Sequence, residues 1–288
     1  MSLLEKIELL TANLPDADGA RRFYLDLANK YPAEEKRLVK SEGLLSDVLT
    51  LAAFSPLLAT TLLQHPNYIS WLKRQRVSAK VRGKDELLES LARFALVNSQ
   101  VEPNILLARF RRRELLRIYL RDIRNLGTIV EITEEISNLA DAILEYALRL
   151  SRQELDNRYG IPLEIDEKTR AKQAQFCIVA LGKLGSNELN YASDIDLLFL
   201  YSNDGATSGQ GSHKTVTNRE YFVKLAEFAP LSGVERFTKV KLIERPEPAV
   251  VVADIFIEVT RIVLVALPRI VKTSVARRAA TLPEKPAE

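Results

Sequence analysis

Residues 176–201 read FCIVALGKLGSNELNYASDIDLLFLY, a buried strand, a glycine-bearing turn, a short helical segment and a second buried strand that opens with two aspartates. Phe176 to Leu181 is wholly apolar and β-branched at Ile178 and Val179, as expected of a strand covered on both faces. Gly182 and Gly185 bracket a turn, where a missing Cβ lets the backbone pass close to a bound group. Ser186 is placed to cap the next segment. If residues 187–189 open a helical turn, their free amides and the Ser186 hydroxyl form a small anion-binding mouth. Ile195 to Tyr201 then returns to an apolar strand. Strand side chains alternate, so Asp194 and Asp196 share one face while Ile195 takes the other.

Two carboxylates held close repel each other unless a cation sits between them. One or two oxygen ligands, with phosphate completing the shell, suit Mg²⁺. A phosphate-cradling turn followed by a metal-holding Asp-x-Asp strand therefore fits phosphoryl or nucleotidyl transfer. Each half alone is a common chance pattern: Gly-x-x-Gly-Ser turns fill many loops, and Asp-x-Asp often marks a solvated strand edge. Their order and spacing between two apolar runs make the pair specific.

The 288 residues are enough for one large domain or two ordinary ones. Hydrophobic residues at 47% and charged residues at 27% are those of a soluble globular protein. A formal net charge of +3 gives no reason to expect nucleic acid or an anionic membrane as partner. The single cysteine, Cys177, excludes an internal disulfide framework and, inside an apolar strand, reads as a packed, inert thiol. His65 and His213 are too few and too far apart for a histidine-rich metal site. No signal peptide is legible at Met1–Lys6, so the cytoplasm is the expected compartment. Ala249 to Leu267 has the length of a membrane span, but Asp254, Glu258 and Arg261 argue against one. A buried strand pair, or a misfolding-prone tail, suits it better.

Up to about residue 150 the composition favours helix. Leu14 to Gly19 breaks a first amphipathic segment from the next. Ser55-Pro56 is a helix start, with Leu57 to Gln64 ending near His65-Pro66. Asp85 to Val97, Asn104 to Leu126 and Glu131 to Asp156 read as further helices. The second of these carries Arg109, Arg111, Arg112, Arg113, Arg117, Arg121 and Arg124 beside an apolar face. The first expectation for those arginines is a solvated face or internal ion pairs. The second is contact with phosphates or with an acidic protein surface, and nucleic acid comes last. Residues 202–212 form a loop by composition, either a flap over the site or plain surface, before a helix over Thr217 to Glu227.

Gly182 to Ser186, Glu188-Leu189-Asn190 and Ser193 to Leu197 together resemble the nucleotidyltransferase signature of the glutamine synthetase adenylyltransferase and adenylyl-removing family. That family usually has glycine where this chain has Ser186; serine there is normal in the wider polymerase-β-like superfamily. Glu188 to Ser193 is closer to the family's amino-terminal, deadenylylating half. Ser55-Pro56 through Trp71-Leu72, the Arg109-Phe110-Arg111-Arg112 run and Asn218 to Leu225 extend the resemblance, which covers roughly residues 40–227.

The resemblance implies an α+β fold: a mostly α-helical domain over residues 1–160, then a small polymerase-β-like nucleotidyltransferase core, whole or incomplete, over 161–246. It implies Mg²⁺ held by Asp194 and Asp196 as metal-binding and catalytic residues, with Gly182, Lys183, Gly185 and Ser186 positioning nucleotide or phosphate. Glutamine synthetase would be the protein substrate and an adenine nucleotide the small one. Inorganic phosphate would remove the adenylyl group as ADP, or ATP would donate it in the opposite sense. From about Phe228 the character changes: after Gly233 there is no glycine, asparagine, glutamine, histidine, methionine, tyrosine or tryptophan. Residues 247–288 read as a divergent tail, consistent with a frame disruption or truncation. Val240 to Pro246 is nearest to the family's next strand, with Lys241 where a third carboxylate would stand, and Glu244, Asp254 or Glu258 as possible substitutes. The alternative expectation is thus a family fragment that only binds nucleotide or protein.

Overall fold

A computed structural model describes residues 2–75, 79–165, 170–228, 239–242 and 261–263. The protein is α+β, helical in its amino-terminal region, and among the described residues two small sheets lie near and beyond the middle of the chain. It divides into two compact units, one of residues 1–82 and 108–135, the other of residues 83–107 and 136–288.

The first unit holds α1 (Leu3–Thr11), α2 (Ala17–Lys30), α3 (Pro32–Val39), α4 (Glu42–Phe54), α5 (Pro56–Gln64) and α6 (Asn67–Gln75). Local chemistry sets their starts. Ser2 and Glu5 form a reciprocal capping box, and Asp16 accepts from the Gly19 amide at 2.8 Å. Ser55 accepts from the Leu58 amide with Pro56 at the first helical position, as the sequence leads one to expect. Leu27, Leu38, Leu45, Leu49 and Trp71 then build one apolar core, joined by Leu116 and Leu120.

Those two leucines belong to α8 (Pro103–Ile123), which follows α7 (Lys84–Val97) and precedes α9 (Ile129–Tyr159). The arginines of α8 that point inward make ion pairs. Arg113, Arg117 and Arg121 are all buried, as are Glu114 and Glu135. Glu114 meets Arg113 at 3.0 Å and Arg117 at 3.4 Å. Glu135 meets Arg117 at 2.7 Å and Arg121 at 2.5 Å, and accepts the Arg82 amide at 3.0 Å. Arg124 pairs with Asp47.

His65 ends α5 with its ring stacked on Tyr68, centroids 5.0 Å apart. Burial, helped by the charges of Arg109 and Arg112, holds its pKa below the ordinary 6.5. The unfolded chain therefore binds the proton more readily, so stability falls as pH drops through 6.5 and stops falling below the folded value. His65→Gln should flatten that acid slope in urea midpoints taken from about pH 7.5 to about pH 5. A slope equal to the parent's would show that the ring does not report this environment.

The second unit carries two sheets. β1 (Pro162–Ile165) lies between β2 (Ala171–Gln173) and β5 (Ala206–Thr207), both antiparallel to it. In the other sheet β3 (Phe176–Leu181) and β4 (Asp196–Tyr201) form a central antiparallel pair. β6 (Lys239–Leu242) runs parallel to β4, and β7 (Arg261–Val263) runs antiparallel to β3. Phe222 of α11 (Asn218–Phe228) stacks on Phe176 and on Tyr201, centroids 5.1 Å apart in each case. That covers one end of the strand pair. Burial pushes the Cys177 thiol up to about 11, which keeps it protonated and inert, as its apolar strand implies.

The segment over residues 202–212, expected as a loop, contains the strand β5, and its end is sewn to α9. The Ser212 amide donates to the Asn157 carbonyl at 3.0 Å and the His213 amide to the Arg158 carbonyl at 2.6 Å, closing the end of a 31-residue helix. Gly205 lies against β1, where an added Cβ would collide with the Leu163 carbonyl and crowd the Asn218 amide. Asn218 donates to the Leu163 and Asn203 carbonyls at 2.9 and 3.0 Å. Gly205→Ala should cost about 1–3 kcal/mol, the usual range for an overpacked site, read from denaturant midpoints. A neutral result would mean that this junction gives way.

Among the described residues no helix is long and apolar enough to cross a membrane. Apart from Arg261–Val263, the expected tail over 247–288 lies outside the described residues, as does the strand pair expected over Ala249 to Leu267.

Candidate functional site

The site is organised by the register of the central strand pair. Leu181, last in β3, stands opposite Asp196, first in β4. The chain beyond Leu181 therefore leaves the sheet beside the Asp196 carboxylate. Gly182 comes next with φ +57, the left-handed region that favours glycine. A Cβ built on it would lie 3.8 Å from Asp196 Oδ2, in otherwise open space. The glycine turn and the second aspartate are thus brought together at one end of the sheet.

The turn differs from the sequence expectation in one respect. The helical segment is α10 (Gly182–Gly185), so it begins at the first glycine and not after Ser186. Ser186 caps its carboxy-terminal end: the Ser186 amide donates to the Gly182 carbonyl at 3.0 Å and its hydroxyl to the same oxygen at 3.2 Å. Asn187 takes φ 62, which asparagine tolerates better than most side chains. The Asn187 amide then reaches the Leu184 carbonyl at 3.2 Å and the Glu188 amide the Lys183 carbonyl at 2.7 Å, the two bonds of a Schellman closure. The Leu189 amide donates to the buried Ser137 hydroxyl of α9 at 3.1 Å. The expected mouth of free amides at 187–189 is therefore overturned, because all of these amides have acceptors. Of the leading residues of this four-residue turn, whose amides have no helical partner four residues back, Gly182 and Lys183 are exposed and Leu184 is buried.

Asp194 and Asp196 are both exposed, and Ile195 between them is buried at 7% exposure. This exposed–buried–exposed pattern is the one expected where side chains alternate into β4. Gly182 and Lys183 are exposed, Gly185 is buried, and Ser186 is half-buried. Lys239 of β6 is the register partner of Asp196, and Lys241 that of Leu198. Among the described residues no group of three or more histidine, cysteine or acidic side chains could enclose a metal ion. The possible substitutes Glu244, Asp254 and Glu258 lie outside the described residues.

The exposed carboxylates of Asp194 and Asp196, the second beside a bare glycine, are hard oxygen donors of the kind that hold Mg²⁺, which is commonly bound through one or two carboxylates with phosphate oxygens and water completing its shell. Ser137 carries no sequence signal, because it lies 52 residues from the amide it anchors. Asn190 and Ser193, just before the acids, are the kind of residues that close local turns with their own side chains.

The glutamate-ammonia ligase adenylyltransferase family matches residues 45–229. The chain is similar to the bifunctional glutamine synthetase adenylyltransferase/adenylyl-removing enzyme of Nitrosomonas europaea, 34% identical over 177 residues, which are 61% of this chain and 17% of the relative. The enzyme of the same description in Nitrosococcus oceani is 32% identical over 173 residues, 60% of this chain and 17% of that protein. That of Mannheimia haemolytica is 26% identical over 220 residues, 75% of this chain and 21% of that protein. The chain thus spans about a fifth of the length of the curated relatives it matches.

Proposed function

The chain belongs to the glutamate-ammonia ligase adenylyltransferase family, and from that premise we propose that residues 182–196 form a Mg²⁺-dependent adenylyl-transfer site acting on glutamine synthetase. The observation that carries the reading is the register of Leu181 with Asp196, which sets the bare glycine turn beside the second aspartate. In this reading Asp194 and Asp196 hold the cation. Gly182 lets a phosphate approach the backbone, and the Gly182 and Lys183 amides, with the exposed Lys183 ammonium, orient it. A bound Mg²⁺ would supply charge neutralisation on the transferring phosphate and alignment of attacking and leaving oxygens.

The direction we favour is phosphorolysis, because Glu188 to Ser193 resembles the deadenylylating half of the family. Inorganic phosphate attacks the adenylyl phosphorus, the bond from phosphorus to the tyrosyl oxygen breaks, ADP leaves, and the tyrosyl oxygen takes up a proton. Incubating adenylylated glutamine synthetase with the protein, Mg²⁺ and phosphate should release ADP. Omitting phosphate should stop the release. Adenylyl groups that persist whatever the phosphate concentration would overturn the proposal.

A second reading is favoured by Lys241, which stands where the resemblance expects a third carboxylate and is the register partner of Leu198 in β4. A lysine there is the wrong charge for a third metal ligand. On that reading the site binds a Mg²⁺ nucleotide without turning it over, and the assay shows binding with no ADP released.

A further inference from the structure

The segment between the turn and β4 has to deliver Asp194 in a fixed orientation, although both acids are exposed. It is anchored by burial at its two ends. Leu189 is 5% exposed with its amide on Ser137, and Ile195 is 7% exposed. Five residues, 190–194, bridge these anchors, and a free bridge of that length would let the Asp194 side chain sample many directions.

Four hydrogen bonds remove that freedom. The Asn190 amide donates to Ser193 Oγ at 3.2 Å, while Ser193 Oγ donates to Asn190 Oδ1 at 2.6 Å. The Ala192 amide donates to the same Oδ1 at 3.1 Å, and the Ser193 amide donates to the Asn190 carbonyl at 3.3 Å. The Ser193 hydroxyl thus accepts and donates at once, and the Asn190 amide oxygen receives two donors. Residues 190–193 close on themselves and end at the residue covalently joined to Asp194.

We propose that Asn190 and Ser193 are positioning residues: their clasp sets the chain direction into β4 so that Asp194 joins Asp196 on the side facing Gly182. The proposal rests on the Mg²⁺ site described above. The clasp is solvent-facing, so each bond adds little to global stability. Its effect falls instead on the geometry of the acid pair, as with groups that orient a metal's direct ligands.

The test measures Mn²⁺·ADP binding to the full chain, by paramagnetic resonance of free Mn²⁺, for the parent, Ser193→Ala, Asn190→Ala and Ser193→Thr. Both alanine variants should bind about 10–100-fold more weakly, as for loss of a ligand-orienting group. Their thermal unfolding should match the parent's, and Ser193→Thr, which keeps the hydroxyl, should restore affinity. Parent-like affinity in the alanine variants would overturn the proposal while leaving the site intact. Threonine failing where alanine fails would overturn it as well, since the hydroxyl would not be the cause. No Mn²⁺·ADP binding by the parent would remove the site itself, and the positioning role with it.

Discussion

Asp196→Asn is expected to weaken Mg·ADP binding at least about 100-fold, the upper end of the cost of losing a group that merely supports a metal ligand. Asp196 carries the largest effect because it lies both in the strand and beside the turn. Its backbone pairs with Leu181, and its carboxylate stands beside the open face of Gly182. Asparagine keeps the shape and one oxygen but removes the charge, so the fold is left alone while the ligand is lost. The side chain is exposed, so thermal unfolding should move little. Calorimetric titration reads the affinity and a thermal scan the stability, both in one preparation. Unchanged nucleotide heat in the variant would show that the acid is a solvated strand edge and nothing more.

The second large effect lies far along the chain from the site. Glu135→Ala should destabilise the protein by about 3–5 kcal/mol, the cost of removing one partner from a buried ion pair. Glu135 is fully buried and serves Arg117, Arg121 and the Arg82 amide together. Without it, two buried guanidinium groups lose their nearest acceptor. For a protein of this size the loss corresponds to roughly 6–20 °C in the unfolding midpoint. Glu135→Gln, which keeps an acceptor oxygen, should recover part of it. A loss below about 1 kcal/mol would mean that water reaches these arginines and that the network is not dry.

These two predictions mark what is legible in the sequence and what is not. Strands β3 and β4 are readable because their apolar runs are short, β-branched or aromatic, and bounded by glycine or aspartate. The acid pair is readable for the same reason: alternation is a local rule. The Ser55-Pro56 start is readable because a cap acts within three residues. The position of α10 is not. Its start depends on Gly182 turning left-handed, and its end on Asn187 doing the same. Composition allows both residues that conformation without requiring it.

The arginine stripe of α8 is visible, and internal pairing is among the first expectations for it. Its partner Glu135 cannot be named from sequence, because that residue sits on the next helix and only packing brings the two together. Ser137 is hidden in the same way, as one hydroxyl on a long helix whose importance comes from an amide 52 residues away. The segment over 202–212 is recognisable as a connection, but neither the strand β5 within it nor its closure of α9 is. Nothing local marks the Ser212 and His213 amides as caps for carbonyls of residues 157 and 158.

On the proposed function, the glycine turn and the acid pair make one site for a Mg²⁺ nucleotide. The sharpest check is to follow amide chemical shifts during titration with ADP, first without and then with Mg²⁺. The expected result is that the Gly182, Lys183, Gly185 and Asp196 amides move together on one binding curve, and only when Mg²⁺ is present. Shifts confined to the helices of residues 3–75, or identical with and without the cation, would contradict it.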